Sequence, residues 1–232
     1  MDILDWGDDG NIYIKHSFYF WMDGKEFGQV VGAILVLFIV SGLAFVVEGE
    51  LVALTEVFLF SIVIILTHVA SKKLVAHWLD ADVEHKIWGV YRYGIKPKRH
   101  FKKEMPFGFI VPLLFSLLSI GLFKVMPILT YETRALKHRV AKRFGFYSYS
   151  EMSEWHNGLI GASGIVALLA LSMISYFPGW EYLSKLAVYY AFWNMVPLSN
   201  LDGTQIFFGS RILWLALALV SLIFALGAFV LL

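Results

Sequence analysis

Three residues in this chain have the types that gather a metal ion or a buried charge. His68 and Lys72 lie four positions apart near the end of one apolar segment, and Asp202 lies at the end of another. Residues at that spacing share a helix face. Two histidines so placed, with a glutamate after the first (His-Glu-x-x-His), bind zinc and use the glutamate as general base toward a metal-bound water. This chain reads His68-Val69-Ala70-Ser71-Lys72 instead. Val69 at the base position accepts no proton, and a general base is commonly worth a factor of roughly 10²–10⁴ in rate. A protonated lysine has no lone pair for a metal, and its charge repels a dication. One His and one Asp remain, short of the three protein ligands of catalytic zinc. His77, nine positions beyond His68, points to the opposite side of a continuous helix. His85 reaches the pair only if the chain between them folds back.

With the metal chemistry gone, the same residues suit charge pairing. The Lys72 stem is long enough to carry its ammonium to Asp202, so that neither charge is left alone in a low-dielectric interior. On that expectation Lys72→Ala costs far more stability than Lys73→Ala. The plainer alternatives are that both lysines snorkel to an interface from a helix end, that His68 is simply a buried hydrogen-bonded histidine, and that Asp202-Gly203 is a helix-terminal turn.

The elements that must hold these residues are apolar. Of the 232 residues 59% are hydrophobic and 17% aromatic, against about half apolar in soluble domains, and the mean hydropathy is positive. The fold class expected is an all-α polytopic membrane protein, a bundle of about six transmembrane segments with a small membrane-associated β element. Residues 1–26 form an acidic N-terminal segment without the basic start of a signal peptide, and 27–232 form a single transmembrane domain. The expected segments are 27–47, 51–75, 106–129, 158–177, 183–198 and 212–232, with a tight polar turn at Glu48-Gly49-Glu50 and strand character around 84–95. Thr133 is expected to cap a short helix running to Phe144. The absence of cysteine removes thiolate sites, and a net charge of +1 gives no reason to expect nucleic acid. The stretches 71–104 and 131–157 are both basic and both ask for the cytoplasmic side. They can share it only if 106–129, interrupted by Pro112, Lys124 and Pro127, is re-entrant.

Around the three residues a family likeness emerges. His68 to Ala76, Ile87-Trp88-Gly89, and Asn194-x-x-Pro197-x-x-x-Leu201-Asp202-Gly203, with Phe207 to Arg211 following, together resemble the site-2 protease (M50) family of intramembrane zinc metalloproteases, in particular its compact prokaryotic members. The resemblance implies an integral, multi-pass protein of a prokaryotic plasma membrane. It places His68 on the first zinc ligand, Lys72 on the second, Asp202 on the third and Val69 on the general base. Asn194 and Pro197 fall beside the groove for substrate backbone. Ala162 to Ala167 stand where many relatives carry Gly-Pro and a later Asn.

Three functions follow as expectations. The first is a catalytically inactive homologue, a pseudoprotease without catalytic residues or cofactor. It would act in the lipid bilayer as the binding partner of another membrane protein or as a complex subunit, with client transmembrane segments as the expected ligand. The second is an active zinc metalloprotease with atypical ligands. The third is a small channel or transporter, suggested by Glu56 and Lys124 inside apolar segments; the chain lacks the internal repeat that many transporters carry.

Overall fold

The computed structural model of the chain describes residues 2–6, 12–16, 22–92, 100–135 and 153–231. Within the acidic N-terminal segment, strands β1 (Asp2–Trp6) and β2 (Ile12–His16) pair antiparallel. Helix α1 (Gly24–Glu48) starts where the Asp23 carboxylate accepts from the Gly24 amide at 2.8 Å. It ends at Gly49, whose φ of 82° suits a residue without a side chain. The turn feeds directly into α2 (Leu51–Trp78), which packs back along α1. Helical hydrogen bonding satisfies the backbone polar groups of both segments internally, as an apolar solvent demands.

Strand β3 (Ala81–Ile87) follows α2 at the end of the bundle where α1 begins, and Gln29 of α1 accepts from the Ile87 amide. We call this the sheet end. β4 (Val90–Arg92) and β5 (His100–Met105) pair with each other. Then α3 (Phe107–Leu118) dips into the bundle, its twelve residues spanning about 18 Å. Its start touches the sheet: the Gly108 amide donates to Trp88 O, and a Cβ at Gly108 would lie 2.3 Å from Ile128 O. Its end lies beside the far part of α1, where Ser116 donates to Val40 O and Gly121 packs on Ala44. The chain then returns to β6 (Leu129–Ala135), which pairs antiparallel with β3 from Ala81↔Ala135 to Ile87↔Leu129. The 106–129 segment therefore enters and leaves at the sheet end. The two basic stretches consequently start from the same end.

Four further helices complete the bundle: α4 (Glu154–Tyr176), α5 (Glu181–Met195), α6 (Asp202–Gly209) and α7 (Arg211–Leu231). Ser153 caps α4 by accepting from the His156 amide. Pro197 disfavours helical geometry at the residue before it, and α5 stops at Met195 with Val196 extended. Buried residues of α1, α2, α4 and α5, with Met126, Ile128 and Leu129, form one apolar core.

Four helices, α1, α2, α4 and α7, are long and apolar enough to cross a membrane. Of the six expected segments, 106–129 is a twelve-residue helix plus a return, and 183–198 is the fifteen-residue α5. Strand character around 84–95 is present in β3 and β4. The helix expected from Thr133 is not formed at its start: Thr133 lies inside β6, opposite Val83, because pairing with β3 outweighs a local capping preference. The remainder of that expectation lies outside the described residues.

Candidate functional site

A buried polar centre joins α2 to α6. His68 and Lys72 project from one face of α2, and both reach the same oxygen of Asp202. His68 Nε2 lies 2.8 Å from Oδ2 and Lys72 Nζ 2.7 Å from it, with all three side chains fully buried. The Lys72 contact is an ion pair without the alignment of a hydrogen bond. The ammonium also sits 4.4 Å from the centre of the Tyr131 ring, whose negative π face favours a cation. His68 makes an edge-to-face contact with Tyr190 of α5 at 5.2 Å. Two atoms of the centre, His68 Nδ1 and Asp202 Oδ1, have no hydrogen-bond partner among the described residues.

Local sequence explains how the centre is held. Asp202 opens α6, where unpaired backbone N–H groups favour a carboxylate. The chain doubles back after Pro197 so tightly that a Cβ on Gly203 would lie 2.1 Å from Met195 O. Gly164 lets α4 press against α2; a Cβ there would fall 2.6 Å from His68 Cδ2 and 2.7 Å from Lys72 Cε. Val69 is buried in the apolar core. Asn194 is fully buried with its amide donating to Tyr190 O of its own helix, and Pro197 is exposed. The structure thus brings His68, Lys72 and Asp202 together and sets Asn194 into the packing of α5.

A second buried centre adjoins the first. Glu26, in the first turn of α1, accepts from Lys73 Nζ at 2.7 Å through Oε2. Through Oε1 it accepts from the His85 amide at 3.0 Å and from His85 Nδ1 at 2.8 Å. Glu26 is 4% exposed and Lys73 15%, so Lys73 does not simply snorkel to an interface. This partner gives Lys73→Ala a cost of its own beside the larger one expected of Lys72→Ala. The signal was present in the sequence. In a helical hairpin turning at Gly49, Glu26 lies 23 positions before the turn and Lys73 24 after it, at matching heights. β3 also supplies the fold-back on which His85 depended. Burial, opposed by the Glu26 hydrogen bond and reinforced by the nearby Lys72 charge, pulls the His85 imidazole down to about 4. Burial likewise holds the Tyr131 phenol well above its usual range, helped by the Asp202 carboxylate.

These residues do not fit a catalytic zinc ion. Among the described residues only His68 and Asp202 offer metal-donor atoms at the centre, and the ammonium of Lys72 stands against the carboxylate oxygen that would face the metal. Among the described residues no group of three or more His, Cys, Asp or Glu is placed to hold a metal ion. No family model, curated protein or solved structure matches the chain.

Proposed function

We propose that this chain is a catalytically inactive protein of the site-2 protease kind. It serves as a multi-pass binding partner or complex subunit for another membrane protein, engages a client's transmembrane segment, and resides in a prokaryotic plasma membrane. The reading is carried by one observation: Lys72 Nζ pairs with Asp202 Oδ2, the carboxylate that the family's pattern assigns to metal. It is supported by Val69 lying in the apolar core at the general-base position. It is further supported by the approach of His68 to that same carboxylate oxygen across 134 residues of sequence. A fixed ammonium supplies the positive charge that Asp202 needs, but neither activates water nor polarises a carbonyl by coordination. The pair keeps the fold while removing the chemistry.

Metal analysis of protein purified in lipid nanodiscs tests this. The wild type should hold well under one equivalent of zinc and leave a panel of transmembrane peptides uncut. The variant Lys72→His, which places a second imidazole one turn from His68, should gain zinc. One equivalent in the wild type, lost in His68→Ala, would overturn the proposal in favour of an active zinc protease.

A further inference from the structure

We infer that ordered water bridges the two buried centres, running from the Lys72 ammonium to His85 Nε2 and joining both into one polar network. The bridge is independent of what the bundle binds. Lys72 Nζ, His85 Nε2 and Asp202 Oδ1 are buried polar atoms without a hydrogen-bond partner among the described residues. Leaving such a group unmet costs its full desolvation, and a charged group costs most. All three side chains are fully buried, so bulk solvent does not meet the need.

The register of the sheet puts the two centres side by side. His85 stands directly opposite Tyr131 in the β3–β6 pair. Side chains so opposed share one face of a sheet, with Cβ atoms about 5 Å apart. The Tyr131 ring in turn lies 4.4 Å from Lys72 Nζ. The imidazole and the ammonium therefore share one aromatic neighbour, yet no direct hydrogen bond joins them. Polar groups held near one another but out of direct reach are commonly joined through water.

The chemistry of the unmet atoms selects the ligand. His85 Nδ1 lies 2.8 Å from the Glu26 carboxylate, which only accepts, so that nitrogen carries the ring proton. Burial pulls the imidazole down to about 4, which leaves it neutral at pH 7 with a lone pair on Nε2. Lys72 offers N–H donors and no acceptor. A water accepts from the ammonium and donates one hydrogen to His85 Nε2. Its second hydrogen suits Asp202 Oδ1, on the carboxylate whose other oxygen is 2.7 Å from Lys72 Nζ. That makes about three hydrogen bonds, the usual number for buried water. A cation would face the ammonium and an anion would face Asp202 and Glu26, so a small neutral molecule is the ligand that fits.

The network then runs from Lys73, whose side chain is 15% exposed, through Glu26 and His85 to Lys72, Asp202 and His68. Loss of a group at one centre is consequently felt at the other.

Two measurements on the full chain test this. Solid-state NMR in lipid bilayers with isotope-labelled histidine follows magnetisation from water protons to the imidazole nitrogens, and His85→Asn assigns the His85 signals by removing them. His85 Nε2 should receive magnetisation from water. None from water, or transfer from the lysine ammonium alone, would overturn the inference, and this reading needs no variant of Lys72 to fold. The second measurement is an unfolding cycle of Lys72→Met with His85→Asn, which keeps a donor toward Glu26 and has no atom at the Nε2 position. The double variant should lose about ten-fold less in its unfolding equilibrium constant than the product of the single losses. Losses that multiply to within about two-fold would equally sink the bridge.

Discussion

Removing the Lys72 amine exposes what the buried pair contributes. In Lys72→Met the side chain keeps most of its volume and loses its charge, so Asp202 is left fully buried with His68 as its remaining partner. Breaking a buried ion pair from one side typically costs about 3–5 kcal/mol, most of it the penalty of the orphaned charge. That is a large part of the roughly 5–15 kcal/mol by which domains are stable. The second half of the experiment, Lys72→Met with Asp202→Asn, removes the stranded charge while preserving an oxygen for His68, and should recover more than half of the loss. Unfolding in mixed micelles, followed by the fluorescence of the chain's eight tryptophans, reads both variants. A single variant within about 1 kcal/mol of wild type would mean the pair is not buried as described, and a double variant no better than the single would show the damage comes from lost packing.

Three further outcomes follow from the same geometry. Lys73→Ala should destabilise by roughly 2 kcal/mol, and a cycle with Glu26→Gln should show the two residues strongly coupled; additive losses would refute their pairing. Gly203→Ala should destabilise severely, because its Cβ would meet backbone at Met195 that no side-chain rotation relieves; thermal unfolding near that of wild type would contradict the doubling-back after Pro197. His85 titrates near 4 in the fold and near 6.5 when unfolded, so the unfolded chain binds the extra proton. Its contribution is complete above about pH 6.5 and is lost as the pH falls toward 4, a change of roughly 3 kcal/mol absent in His85→Gln and measurable by unfolding across that range.

The helices were legible in the sequence because an apolar solvent imposes long uncharged runs. α1, α2 and α7 begin and end within three residues of where hydropathy places them. The Lys72–Asp202 contact was legible too, since helical spacing fixes the face from which Lys72 points. The path of residues 106–129 was not decided by composition, because a run of that hydropathy is compatible with crossing or returning. What decides it is the pairing of β6 with β3, a contact between strands 42 positions or more apart that no local pattern announces. The same pairing explains the misplaced helix at Thr133. Glu26 escaped notice for a different reason: read as the last acid of a polar segment, it is the first buried charge of α1, and only the hairpin height reveals its partners.

Lys72 carries one consequence beyond energetics. A positive charge built into the polypeptide arrives with translation, cannot be stripped by a chelator, and does not vary with the trace-element supply of the cell. The charge of the centre is therefore complete as soon as the chain closes around it, with nothing further to be supplied.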